Sequence, residues 1–249
     1  MFTIATKEFR SLFFSPLAWS ILAICEFIIA YLFLGQLELF LQLQSQLSAL
    51  QRSPGVTEFV ASPVFANAAV VLLLIIPLLT MRMISEERKS QTISLLFSAP
   101  VSMMEIVLGK YLGIMAFLLL LVALIALMPL SLYLGSSLDL GLLVAASFGL
   151  VLMLGSFTAL GLYISTICNQ PSVAAVITFG ALVMLWIIEW AGGYFENAKV
   201  VFEYLSLLNH YQSLLRGVIK LSDIVYYLLF ITSFLVLSYR RLDADRLQS

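Results

Sequence analysis

The chain has 249 residues, of which 62% are hydrophobic and only 11% are charged, and its formal net charge is −1. A soluble domain of this length carries roughly 25% charged and about 45–50% apolar residues, so the composition excludes a soluble globular protein and indicates an integral membrane protein. The balanced charge provides no basic field for nucleic acid, and we expect no nucleic-acid partner.

The metal-binding residue types are sparse. Cys25 and Cys168 are far apart in apolar surroundings, and the single histidine, His210, has no cysteine or second histidine beside it. Neither a disulfide framework nor metal-ligand spacing is visible. We therefore expect no metal and no cofactor in this chain.

Residues 1–15 predict an amphipathic helix lying along the inner membrane surface. Its apolar side chains recur at helical spacing and are Phe2, Ala5, Phe9, Leu12 and Phe13. The polar side chains opposite are Thr3, Thr6, Lys7 and Arg10. Ser15-Pro16 then breaks the helix and turns the chain into the bilayer. An interfacial anchor and a contact with a partner both remain open.

Residues 16–249 form the predicted membrane domain. A bilayer core about 30 Å thick needs roughly 20 apolar residues of helix, and six stretches come near that length. They are 17–37, 64–83, 107–134, 140–167, 173–192 and 224–239. The sequence thus predicts an all-α integral membrane fold with six transmembrane helices.

Charge placement gives the predicted orientation. With both termini inside, the inner segments hold nine Lys or Arg residues and the outer segments hold four, which favours cytoplasmic termini. The first outer segment, 38–62, is rich in Leu and Gln and predicts a helical projection from the first span. This projection could contact a second copy of the chain or a periplasmic partner, or it could lie on the lipid surface.

The segment before the last span is too polar to cross the membrane and too apolar for an ordinary loop. Gly192-Gly193 gives a break, and two short helices are predicted at Val200–Leu208 and Tyr211–Ile219. Paired segments of this kind fit a re-entrant or interfacial hairpin, whose backbone must be buried in protein.

A dense charge cluster interrupts the apolar spans between Arg82 and Gln91. Ser85 is predicted to cap a short helix whose first turn holds Glu86 and Glu87, which complement the helix dipole. The sequence Ser102-Met103-Met104-Glu105 matches a capping box and predicts a second helix start. A short docking helix fits this pattern, although a solvated loop that only fixes topology remains the alternative.

The segment Ile84–Gly113, ISEERKSQTISLLFSAPVSMMEIVLGKYLG, resembles the hallmark segment of type-2 ABC export permeases. The matching residues are Glu86, Glu87, Arg88, Lys89, Thr92, Leu95, Leu96, Pro100, Val101, Ser102, Gly109 and Lys110. One departure is Gln91, where many relatives have glycine. The glutamine should stiffen the turn rather than abolish docking. A second segment, Leu205–Phe230, is similar to the tail of permeases associated with bacterial gliding motility.

The resemblance implies a six-span subunit of the bacterial inner membrane, with both termini cytoplasmic, that pairs with a second permease copy or a related permease. A separate ABC ATPase subunit would bind ATP and Mg. The implied coupling helix docks on that ATPase through Glu86, Glu87, Arg88, Lys89, Thr92, Leu95, Leu96, Phe97 and Pro100. The N-terminal helix would provide a second cytoplasmic contact through Lys7, Glu8 and Arg10. The resemblance also makes the hairpin before the last span an extracytoplasmic re-entrant element.

The chain itself holds no phosphate-binding glycine-rich loop ending in Gly-Lys-Ser or Gly-Lys-Thr. Gly109-Lys110 is followed by Tyr111, and we expect Lys110 to mark the membrane interface by snorkelling. We therefore predict no catalytic residue here and assign ATP hydrolysis to the partner. The substrate, and whether any molecule is transported at all, stays open.

Glu26 lies about halfway through the first span, where a charge is expensive and suggests function. It could contact a substrate, pair with a polar neighbour, or be neutral and hydrogen-bonded. The alternative function is a stand-alone secondary transporter or channel that uses Glu26. Small residues, including Gly149, Gly155 and Gly161, give the fourth span a face suited to close helix packing.

Overall fold

The computed structural model describes residues 1–47, 55–93, 101–134, 138–192 and 206–248, and every regular element in these ranges is a helix. The α-helices are α1 (Phe2–Phe14), α2 (Pro16–Leu47), α3 (Ser62–Thr80), α4 (Ser85–Lys89), α5 (Met103–Leu130), α6 (Leu140–Ile167), α7 (Pro171–Gly192), α8 (Leu207–Leu215) and α9 (Leu221–Gln248). A π-helical turn, Thr57–Ala61, leads into α3, and a 3-10 turn, Ser131–Leu134, follows α5.

Five of the described helical stretches are long and apolar enough to cross a bilayer, as expected for a multi-pass membrane protein. They are Ala18–Gln44, Thr57–Lys89, Met103–Leu134, Leu140–Ile167 and Leu221–Leu247. The predicted span 173–192 corresponds to α7, whose described apolar part, Pro171–Ile187, is shorter.

Local signals in the sequence set several helix boundaries as predicted. Ser15 is extended between α1 and α2 (φ −87°, ψ 128°), and α2 begins at Pro16. Ser102 and Glu105 form the predicted capping box at the start of α5: the Ser102 hydroxyl accepts from the Glu105 amide at 3.2 Å, and the Glu105 carboxylate accepts from the Ser102 amide at 3.2 Å. Asp139 caps α6 through the Leu142 amide at 3.2 Å.

Two predicted boundaries differ from the structure at the last span and the segment before it. The last helix is not confined to 224–239 but runs from Leu221 to Gln248, because its charged final turns still pack on the bundle and bind α4. The helix predicted at Tyr211–Ile219 begins and ends four residues earlier, as α8. The described end of the predicted Val200–Leu208 helix belongs to α8, and the remainder lies outside the described residues.

The reason for the shift of α8 lies in its two caps. The Ser206 hydroxyl accepts from the Asn209 amide at 3.2 Å and fixes the start. Gly217, with φ 76°, ends the helix in a Schellman motif: the Gly217 amide donates to the Leu214 carbonyl and the Val218 amide to the Ser213 carbonyl, both at 3.0 Å.

Helix α6 occupies the centre of the bundle and contacts α3, α5, α7, α8 and α9. The predicted small-residue face permits these contacts. A Cβ added at Gly149 would lie 2.8 Å from Leu214 Cβ on α8, and one at Gly161 would lie 2.7 Å from Thr80 Cβ on α3. Gly155 likewise faces the Tyr111 hydroxyl on α5.

Met1 and the last described turns of α9 lie at one end of the bundle, which we call the charged end. The Met1 amino group is 3.5 Å from Glu105 Oε1 at the start of α5, and Asp245 near the end of α9 binds Arg88 of α4. At the opposite end, the Thr57 hydroxyl accepts from the Asp139 amide at 2.9 Å.

Candidate functional site

The charged end is built around α4, the short helix that ends the second apolar stretch and precedes the third. The amides at its start are bound from α6: Ser165 Oγ accepts from the Ile84 amide at 3.0 Å and from the Ser85 amide at 3.1 Å. The prediction that Ser85 caps this helix is wrong, because the Ser85 hydroxyl donates back to the Met81 carbonyl instead. Glu86 and Glu87 occupy the first turn as predicted.

Lys110 on α5 joins α4 to the N-terminal helix. Its Nζ lies 2.9 Å from Glu8 Oε1 on α1 and 2.9 Å from Glu87 Oε1 on α4. The lysine side chain is only 5% exposed, and the two carboxylates are 28% and 26% exposed. The snorkelling prediction is therefore wrong: the ammonium group is buried inside the protein, where two carboxylates stabilise its charge.

Helix α1 packs on α5 over a pair of glycines. Cβ atoms added at Gly109 and Gly113 would lie 2.8 Å from Ile4 Cβ and 2.7 Å from Glu8 Cβ. The Phe13 ring contacts the Phe117 ring of α5 at a centroid distance of 5.8 Å. The predicted segment is thus helical, but its packed face includes Ile4 and Glu8, whereas Phe2 is 77% exposed.

Arg88 joins α4 to the end of α9 through its ion pair with Asp245. Arg241 adds a second, 3.6 Å contact to the same carboxylate. Arg88 also lies near Cys168, the residue that ends α6: burial raises the pKa of the Cys168 thiol, and the positive charge of Arg88 opposes that rise. The charged side chains at this end consequently tie α1, α4, α5 and α9 together.

The predicted docking residues divide into two groups. Glu87 and Arg88 bind within the chain, whereas Glu86, Lys89 and Thr92 are exposed on the outer surface of α4 and the turn that follows. Of the second predicted contact, Lys7 and Arg10 are exposed on α1 and Glu8 binds Lys110. Leu95, Leu96, Phe97 and Pro100 lie outside the described residues.

Gln91 closes α4 in a left-handed conformation, with φ 56°. Its amide donates to the Arg88 carbonyl and the Thr92 amide donates to the Glu87 carbonyl, at 3.1 and 3.0 Å. These are the two bonds of a Schellman motif, whose left-handed residue is usually glycine. The backbone conformation at Gln91 is therefore one that glycine adopts more readily than glutamine.

Glu26 lies on α2, away from this cluster. Its Oε1 is buried and has no hydrogen-bond partner within the part of the chain that the structure describes. The possibility that a polar side chain pairs with this oxygen therefore finds no support among the described residues. An unpaired carboxylate oxygen inside an apolar span is costly.

The opposite end of the bundle holds a buried polar cluster that joins α8 to α9. His210 Nδ1 lies 2.8 Å from Asp223 Oδ1, and the His210 ring stacks on Tyr226 at 4.2 Å. The Ser213 hydroxyl donates to the other oxygen of Asp223. These contacts hold His210 against the start of the last helix.

Sequence reasoning missed the internal roles of Lys110, Ser165 and Asp245. Their partners are distant in the chain: 102 residues separate Lys110 from Glu8, and 157 separate Arg88 from Asp245. One available signal was the pair Gly109 and Gly113, because small residues four apart indicate that another helix packs beside Lys110.

The ion pairs at the charged end connect α1, α4, α5 and α9, and the outer surface of α4 exposes polar side chains. Among the described residues, no group of three or more His, Cys, Asp or Glu side chains is placed to hold a metal ion.

The family model described as ABC-2 family transporter protein matches residues 2–247, which is almost the whole chain. A comparison with curated proteins gives no match.

Proposed function

Because this chain belongs to the ABC-2 family of transporter proteins, we propose that it is the permease subunit of an ATP-driven exporter or of an ATP-driven mechanical complex. A separate ABC ATPase, which binds ATP and Mg, supplies the energy. The observation that carries this proposal is α4, a short charged helix with an exposed outer surface that is fixed to α5 and α9 by ion pairs.

In this proposal α4 is the coupling helix. Glu86, Lys89 and Thr92 face the ATPase, because they are exposed and lie on one short segment. Glu87 and Arg88 instead transmit movement, since their charges are bound to Lys110 and Asp245. Leu95, Leu96, Phe97 and Pro100, which follow in the chain, supply the apolar part of the docking surface.

Helix α1 provides the second contact in this assembly. Lys7 and Arg10 are exposed on its outer side, and Glu8 shares Lys110 with Glu87 of α4. An ATPase that contacts both α1 and α4 would therefore move the two helices together, as one ion-paired unit. Interfacial charges of this kind set orientation and association rate more than affinity.

The proposed topology has six crossings, with both termini cytoplasmic in the bacterial inner membrane. Support comes from the position of α7. This helix follows the end of α6, which lies beside α4 at the charged end, and the next described helix, α8, lies at the opposite end. The excess of Lys and Arg in the inner segments supports the orientation. We also propose that the working unit contains a second permease copy or a related permease.

The relationship to gliding-motility-associated permeases is proposed from the segment Leu205–Phe230. The Asn-His pair and the Arg-Gly-Val-Ile sequence in this segment correspond to features that hold α8: His210 binds Asp223, and Gly217 forms the left-handed cap. A resemblance built on such structural residues supports a common shape for this hairpin. It carries no statement about the transported molecule.

Co-purification with the ABC ATPase encoded beside this chain tests the proposal. The variant Lys89→Glu reverses an exposed charge on α4, and the control Lys220→Glu makes the same change on an exposed residue at the opposite end. We expect Lys89→Glu to weaken ATPase capture at least about tenfold, because like charges across an interface cost several kcal/mol. The control should capture the ATPase as the wild type does.

Two results would overturn the proposal. One is the absence of any ATPase in complexes purified from native membranes under mild detergent. The other is equal capture by wild type, Lys89→Glu and the apolar-surface variant Leu96→Asp. Both would leave α4 as a solvated segment that only fixes topology.

Glu26 supports a second candidate, a stand-alone secondary transporter or channel. In this alternative, its buried Oε1 on α2, which has no hydrogen-bond partner among the described residues, is the proton or cation site. Proton-dependent flux in liposomes containing the chain alone, lost on Glu26→Gln, is the expected result of this alternative. Flux only in the presence of ATP and the ATPase would exclude it.

A further inference from the structure

A cavity of about 320 Å³ opens at the charged end between α1, the end of α3 and α5. One side of it is apolar and is formed by Leu78, Leu79 and Ile114. The polar side is formed by Glu8, Ser11, Arg82 and Glu86. Two of these residues already have a role: Glu8 is a partner of Lys110, and Glu86 also belongs to the proposed ATPase-facing surface.

Arg82 and Glu86 present two unpaired opposite charges to this cavity. Both are exposed, and neither side chain makes an ion pair or a hydrogen bond with the described residues, nor do they bind each other. Residues four apart on one helix readily form an ion pair. Here the helix is interrupted between Thr80 and Ser85, so that the two charges are held apart.

An exposed apolar track on α3 leads to Arg82. Val70, Leu74 and Leu78 are 43%, 53% and 43% exposed, and they follow one another at intervals of four residues. Arg82 comes four residues after the last of them. With a rise of 1.5 Å per residue the track is about 12 Å long, close to the roughly 15 Å of hydrocarbon in one leaflet.

We propose that this cavity binds the headgroup of a zwitterionic glycerophospholipid of the phosphatidylethanolamine type. Arg82 and the Ser11 hydroxyl bind the phosphate, and the Glu86 carboxylate binds the primary ammonium group. One acyl chain lies along Val70, Leu74 and Leu78. A ligand that carries both charges satisfies both side chains, which neither an anionic headgroup nor a free phosphate does.

The chemistry also predicts selectivity among headgroups. A phosphoglycerol headgroup offers no ammonium group to Glu86 and places its negative charge near two carboxylates, Glu8 and Glu86. A phosphocholine headgroup carries a positive charge but has no N–H to donate. The site therefore ranks ethanolamine above choline and glycerol. It requires no ATPase, so it can fail or stand independently of the proposed function.

The test is a titration of the purified full chain in detergent with phosphatidylethanolamine, phosphatidylcholine and phosphatidylglycerol of identical acyl chains, read by native mass spectrometry. The variants are Arg82→Gln and Glu86→Gln. The matched controls are Lys89→Gln, which removes a neighbouring exposed positive charge, and Glu58→Gln, which removes an exposed negative charge at the opposite end.

We expect the wild-type chain to retain phosphatidylethanolamine at least about tenfold more strongly than phosphatidylglycerol, since a charge-assisted hydrogen bond is worth about a factor of ten. Arg82→Gln should weaken the binding of all three lipids, because it removes the phosphate contact. Glu86→Gln should abolish the preference for ethanolamine while retaining the phosphate contact. Both controls should retain the three lipids as the wild type does.

Equal retention of the three lipids by the wild type would overturn the inference. So would unchanged selectivity in Glu86→Gln. If Glu86→Gln loses ATPase capture but keeps its lipid selectivity, the carboxylate belongs to the ATPase interface and the lipid assignment is wrong. Near-wild-type thermal unfolding of both variants, expected for exposed and unpaired side chains, would show that any loss reflects binding.

Discussion

Lys110 neutralises two carboxylates in a place that water scarcely reaches, and removing its charge should be costly. Lys110→Met would leave Glu8 and Glu87 facing each other without a cation, and breaking a buried ion pair costs about 3–5 kcal/mol. We expect a clear fall in the thermal unfolding temperature in detergent. The exposed Lys7→Met on α1 should change the free energy of unfolding by less than about 0.5 kcal/mol.

A triple variant separates lost charge from lost packing. Combining Lys110→Met with Glu8→Gln and Glu87→Gln removes all three charges, and we expect it to recover most of the lost stability. Wild-type stability in Lys110→Met alone would contradict the ion-paired arrangement. The sequence could not reveal this arrangement, because a lysine near a membrane boundary has the same hydropathy whether it faces lipid headgroups or a second helix.

Gln91 and Gly217 occupy equivalent positions in two Schellman motifs, yet only Gly217 is a glycine. A side chain in the left-handed region costs roughly 1 kcal/mol, and Gln91 is exposed, so that it gains little packing in return. Gln91→Gly should therefore stabilise the chain by up to about 1 kcal/mol in thermal unfolding. Gln91→Val should destabilise the chain. If the valine variant were more stable than the glycine variant, α4 would not end in a left-handed residue at position 91.

At the scale of a helix, α6 depends on glycines for its close approach to neighbouring helices. Gly161→Ala would place a methyl group 2.7 Å from Thr80 Cβ, which forces α6 and α3 apart at a cost of about 1–3 kcal/mol. Gly180→Ala on α7 is the matched control, because nothing lies within 4 Å of its added methyl group. The thermal unfolding temperature should fall in Gly161→Ala, and it should stay level or rise slightly in Gly180→Ala.

The helices themselves were largely predictable, because their signals are local. The Ser102–Glu105 capping box and the Ser15-Pro16 break act within a few residues, and the span 140–167 coincides with α6. The helix α8 was placed four residues too late, since its apolar spacing continues past Gly217. The cap of α4 was missed altogether, because Ser165 supplies it from 80 residues away.

Across the whole molecule, α9 is the element fixed at both ends of the bundle. Asp223 in its first turn binds His210 and Ser213 of α8, and Asp245 near its other end binds Arg88 of α4. The predicted order of apolar stretches gave the path of the chain, but it held no information about these pairings. A movement of α4 can therefore reach α8 through one continuous helix.

Amide hydrogen exchange in each half of α9 tests this connection without any partner. Asp245→Asn weakens the attachment to Arg88, so exchange should rise in α4 and in the last turns of α9 while α8 stays protected. Asp223→Asn should raise exchange in α8 and leave α4 unchanged. Asp243→Asn is the control, because that carboxylate makes no ion pair with the described residues. If all three variants exchange alike, α9 is held by apolar packing alone and cannot act as the link between α4 and α8.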